Sequence, residues 1–98
     1  MYVILSFTLV PVDVGLSISK YVAEAENILS KSGLTYTLHA NGTNVEGDWD
    51  EVISTIKKCQ QKIHDMGAKR IFTTIQLGTR TDKIQNMDDK IKSVEDKI

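Results

Sequence analysis

The chain is poor in cysteine, proline and aromatic residues, and each shortage narrows what it can be. A single cysteine, Cys59, permits no intrachain disulfide and no paired thiolates for a soft metal such as copper. A single proline, Pro11, removes a ladder donor and ends the first strand. Aromatic residues make up only 6% of the sequence. An RNA-recognition module stacks bases on aromatics of its central strands, and the corresponding stretches here offer Ser6, Thr8 and TNVEG instead. No apolar run approaches the roughly 18 residues of a spanning helix. The N-terminal YVILSFTLV lacks a basic leader and a small-residue cleavage site, so it reads as a buried strand, and the cytoplasm is the expected compartment. Charge of one sign is scarce as well. The formal net charge is −1, a weak electrostatic drive toward nucleic acid or anionic membrane, although residues 1–50 carry six acids against two lysines and residues 51–98 ten bases against seven acids.

What is present is regular. Ninety-eight residues suffice for one domain spanning 1–98, and a chain of this size buries only about 60 to 65% of its unfolded surface. Tyr2 to Val10 alternates Val3, Leu5, Phe7 and Leu9 against Ile4, Ser6 and Thr8, as a strand with one core face does. Ser17 or Ser19 then caps a helix whose apolar stripe is Ile18, Tyr21, Val22, Ala25, Ile28 and Leu29, stopped by Gly33. Leu34, Tyr36 and Leu38 alternate in a second strand that enters a type I′ turn at Asn41-Gly42, and Thr43 to Gly47 is the third. Asp48 and Glu51 have the spacing of a capping box. They open a second helix with the buried stripe Trp49, Val52, Ile53, Ile56, Cys59, Ile63 and Met66, ended by Gly67. Arg70 to Leu77 forms the last strand, and Met87, Ile91, Val94 and Ile98 mark a further helix capped by Asn86 or Asp88.

This order predicts an α+β fold, a ferredoxin-like βαββαβ sandwich with an additional C-terminal helix. Both long helices cover one sheet face. The other face, mixed in polarity, predicts association, and the short last helix must dock on something to persist.

Fold alone does not select a function. VPVDVGLS, after the first strand, has no arginine to cradle a phosphate, and no Walker loop, Rossmann fingerprint or nucleophile elbow occurs, so catalysis has no support in the residues. His39 and His64 lack partners at metal-ligand spacing, and surface or strand-end roles suit them better. Glu46, Asp48 and Asp50 alternate like a calcium loop but lack its glycine and closing glutamate, so no metal is expected. What remains is a set of polar residues near element ends: Ser17, Ser19, Asn41, Thr43 and Glu46, with Arg80, Asp82 and Lys83 further on in GTRTDK.

The runs GTNVEGDWDEV and QLGTRTDK, with the closing DKIKSVEDKI, resemble the small thiamine-binding-like family, single-domain proteins long classed as uncharacterised. The match spans the chain. LHANGT…EGDWD and GTRTDK look more like a fungal member than a bacterial one. The resemblance implies dimers assembled into tetramers and a small-molecule site that in some relatives takes thiamine or its hydroxymethylpyrimidine part; it does not imply enzymatic activity, and neither an enzyme nor a cofactor is expected. By carry-over, Thr43 and Glu46 match the Gly-Thr-x-x-Glu-Gly positions, and Arg80, Asp82 and Lys90 the charged C-terminal ones. A carboxylate such as Glu46 would accept from an aminopyrimidine or offset a thiazolium charge, with Ser19 and Thr43 satisfying ring nitrogens. Arg80 suits an anion, or an ion pair with Asp82 that pins the C-terminal segment. Two other readings stay open: a structural or regulatory homo-oligomer without a small ligand, and an unrecognised enzyme.

Overall fold

The computed structural model describes residues 1–98. In chain order the elements are β1 (Tyr2–Pro11), α1 (Ser19–Ser32), β2 (Thr35–His39), β3 (Gly42–Asp48), α2 (Trp49–Asp65), β4 (Ile71–Gly78) and α3 (Met87–Glu95). The strands form one antiparallel sheet in the order β2-β3-β1-β4. That is the ferredoxin-like βαββαβ arrangement with a C-terminal helix. No helix is long and apolar enough to cross a membrane.

Register decides which residues share a face. Leu5 pairs with Val45 and Leu77, and Phe7 with Thr43 and Ile75, so these project toward the helices. Ile4 pairs with Glu46 and Gly78, and Ser6 with Asn44 and Gln76, so these form the opposite face. Val3, Leu5, Phe7 and Leu9 join Tyr21, Ala25 and Leu29 of α1 and Val52, Ile56, Cys59 and Ile63 of α2 in one buried cluster. Both long helices therefore lie on one face. Burial of Cys59 and, secondarily, the nearby charge of Glu26 push its thiol up to about 11, as expected of a core filler.

Element ends follow local rules with three departures. Gly33 closes α1 in the left-handed conformation (φ 80°). Asn86 caps α3 and exchanges hydrogen bonds with Asp89 in a reciprocal box. The first departure is at α1, where Ile18 occupies the cap without a side-chain bond, and the Ser17 and Ser19 hydroxyls face each other at 3.3 Å. The second is at α2. Asp48 caps it by accepting from Asp50 N at 3.2 Å, but its other partner is the chain's amino terminus and not Glu51.

The third departure is the hairpin. His39 pairs with Gly42, so its turn is Ala40-Asn41, and no non-glycine residue has positive φ, which excludes a type I′ turn. Gly42 serves another purpose. A Cβ there would stand 2.8 Å from the Phe7 carbonyl oxygen, so the glycine lets β3 approach β1.

Candidate functional site

The N-terminal part of α1, the loop before it and the β2–β3 turn enclose a groove of about 910 Å³ on the helix side of the sheet. Phe7 and Leu9 of β1 form its floor, and Ile18 and Val22 of α1 one wall. Four of the polar residues singled out from the sequence, Ser17, Ser19, Asn41 and Thr43, meet at it. A fifth group, Glu26 on α1, was not foreseen. Thr43, itself buried, donates its hydroxyl to Glu26 Oε1 at 2.6 Å. Glu26 Oε2 is also buried but has no hydrogen-bond partner. An orphaned carboxyl oxygen is expensive to keep, since a buried polar group without a partner costs roughly 1 to 3 kcal/mol by mutational measure. The signal was available in the sequence: Glu26 lies four residues after Val22, on the margin of the helix stripe.

Glu46 is not in this groove. It stands three residues after Thr43 on a strand, an odd spacing that places it on the opposite face. There it is only 6% exposed, and its Oε2 accepts from the backbone N–H of Met87 at 2.6 Å. A carboxylate at the first turn of α3 complements the helix dipole, so Glu46 fastens that helix to the sheet. Tyr2, on the same face, has its phenol pushed up to about 12, first by burial and then by the neighbouring Glu46 carboxylate.

Arg80 and Asp82 form a third arrangement, between β4 and α3. Arg80 Nε and Nη2 donate to the two oxygens of Asp82 at 2.7 and 2.5 Å, and Nη1 to Gln85 Oε1 at 2.9 Å. Facing the guanidinium holds the Asp82 carboxyl down at about 2. This loop lines a separate cavity of about 380 Å³ against Tyr2 and Ile4. Arg80 and Asp82 are thus apart from Ser17, Ser19, Asn41 and Thr43. The histidines have structural partners, His39 with Asn44 and His64 with the Ala68 carbonyl. No three His, Cys, Asp or Glu side chains converge as metal ligands would.

The fold agrees with what the chain is similar to. Residues 5–95 match the family described as "Thiamine-binding protein". A UPF0045 protein of Synechocystis is 50% identical over 97% of this chain and 78% of its own length. The UPF0045 protein ECM15 of Eremothecium gossypii is 45% identical over 84% of this chain and 78% of its own. Relatives of both kinds match, so identity does not single out a fungal origin. A hypothetical protein of Methanocaldococcus jannaschii superposes with a TM-score of 0.90 at 28% identity, covering 96% of each chain. A candidate thiamine biosynthesis/salvage protein of Thermotoga maritima does so at 0.82 and 20% identity, over 96% of this chain and 99% of that one, a likeness of fold. The chain belongs to the thiamine-binding protein family.

Proposed function

We propose that the protein binds thiamine, or its aminopyrimidine half, in the groove between α1 and the β2–β3 turn, without turning it over. One observation carries the reading: the half-satisfied carboxyl of Glu26 inside an apolar cavity of ligand size. An aminopyrimidine supplies the N–H donor that Glu26 Oε2 lacks, and the carboxyl offsets the permanent charge of a thiazolium. Thr43 holds the other oxygen and so orients the acceptor. Apolar side chains such as Phe7, Leu9 and Val22 cover the ring faces. Asn41, Ser17 and Ser19 stand at the mouth with polar groups for the remaining ring nitrogens and the hydroxyethyl arm. Glu26 takes the part that chemical inference from the sequence gave to Glu46.

Thermal unfolding of ligand-stripped protein tests this. A ligand confined to the native state adds about 2.7 kcal/mol at a hundredfold excess over Kd, enough to raise Tm by roughly 10 °C or more in a chain of this size. Thiamine and hydroxymethylpyrimidine are both expected to raise Tm, and Glu26→Gln to abolish the rise while the protein stays folded. If millimolar thiamine, hydroxymethylpyrimidine and thiamine diphosphate all leave the curve unchanged, the binding reading fails and a structural homo-oligomer replaces it.

A homo-oligomer, a dimer of dimers, is part of the same proposal. It is supported by Phe72 on the open face and by Ile91 and Val94 on α3, which are 57%, 55% and 62% exposed. Light scattering is expected to give four times 11.0 kDa, and truncation after Asn86 to lower both mass and stability. A monodisperse monomer at micromolar concentration removes this part.

A further inference from the structure

The cavity beside Arg80 lies on the sheet face opposite the groove and has a different chemistry. Three of the five N–H groups of the Arg80 guanidinium are committed, two to Asp82 and one to Gln85, which fixes its plane and leaves two free. Lys83 and Lys90 line the same cavity, and neither takes part in the chain's ion pairs, which are Met1–Asp48, Arg80–Asp82 and Lys92–Asp96. The Thr79 and Thr81 hydroxyls add donors that no group of the chain engages. Asp82 neutralises one of the three cations, so the lining keeps a surplus of two positive charges. Of the β3 carboxylates on this face, Glu46 is occupied by Met87 N–H and Asp48 by the amino terminus.

We propose that this cavity is a binding site for a small phosphate-bearing anion. A lining rich in donors, with two unpaired ammonium groups and a guanidinium already oriented, matches an anion that carries two charges and accepts from several directions. A simple carboxylate would leave one lysine unmatched. At about 380 Å³ the space exceeds a bare phosphate and accommodates a diphosphate or a small phosphate ester. This inference does not rest on the groove reading, because the two sites share no residue.

Calorimetric titration of the full chain with inorganic phosphate and with pyrophosphate, at constant ionic strength with acetate as the balancing anion, tests it. Saturable binding of one anion per chain is expected, tighter for pyrophosphate. Lys83→Ala with Lys90→Ala is expected to weaken it at least tenfold. Lys57→Ala with Lys58→Ala, exposed lysines on α2, makes the same change in net charge and is expected to leave the isotherm unchanged, as is Glu26→Gln. No saturable binding, equal weakening by both lysine pairs, or an unchanged isotherm in the Lys83/Lys90 variant overturns the proposal. The same holds if that variant changes the assembled mass but not the isotherm, since the cations then serve a subunit contact.

Discussion

The two sides of the sheet each carry a carboxyl group that β3 helps to bury, and they treat it in opposite ways. On the open side Glu46 accepts from the first N–H of α3 and lies beside Tyr2, so its partners come from the chain itself. On the helix side Glu26 receives the Thr43 hydroxyl on one oxygen, while the other is enclosed without a partner. A buried carboxylate that leaves no enclosed oxygen without a partner has the signature of an architectural contact. An unsaturated one facing a cavity has that of a site whose second partner arrives from outside. The carboxylate that stood out in the sequence, Glu46, is the one the fold engages.

The largest effect expected from breaking this contrast is on stability. Glu46→Ala leaves the Met87 N–H unpartnered and removes the negative charge from the start of α3, at a cost of about 2 kcal/mol, or roughly 8 to 16 °C in Tm. Replacing the Glu26 pair is expected to be far milder. Glu26→Leu together with Thr43→Val removes donor and acceptor at once and eliminates the orphaned oxygen, so the double variant should lie within about 1 kcal/mol of the parent or above it. Chemical denaturation of the two variants side by side decides the matter. If the Glu26/Thr43 variant loses more than Glu46→Ala, then Glu26 is architectural and the contrast collapses.

Much of the fold was legible because its signals are local. The alternation in β1, the stripe of α2 and the stop at Gly33 each depend on a few neighbouring residues, and each stands as read except at Trp49, which is 40% exposed at the first position of α2 instead of joining the stripe. The hairpin was misplaced by one residue because Asn41-Gly42 is a strong turn signal, whereas the glycine is required by the approach of β3 to Phe7, thirty-five positions earlier. No local pattern contains that constraint. On α3 the expected stripe shrinks to Met87 within a single chain, with Ile91 and Val94 left exposed. The site divides in the same way. Ser17, Ser19, Asn41 and Thr43 do converge, since element ends on one edge of a small sheet are close in space. Grouping Thr43 with Glu46 ignored the parity of a strand, and passing over Glu26 treated a charge at the margin of an amphipathic stripe as solvated.

The smallest effect, and the most local, is a titration. Tyr2 is pushed up to about 12 from 10, by burial first and the Glu46 carboxylate second, so the folded state favours the neutral phenol. A folded-state value raised above the unfolded one means that the stabilisation is complete below about pH 10 and is lost as pH rises through about 12. The near-ultraviolet absorbance of tyrosinate, with the Tyr2 component isolated by subtracting the Tyr2→Phe variant, follows this directly. Glu46→Gln is expected to lower the Tyr2 midpoint part of the way toward 10, because the charge is removed while the largest single cause, burial, remains. Glu26→Gln, on the other side of the sheet, should leave it where it is. A Tyr2 midpoint that ignores Glu46→Gln would mean that the open-side carboxylate does not hold Tyr2, and the case for Glu46 as a group engaged by its own chain would then rest on Met87 alone.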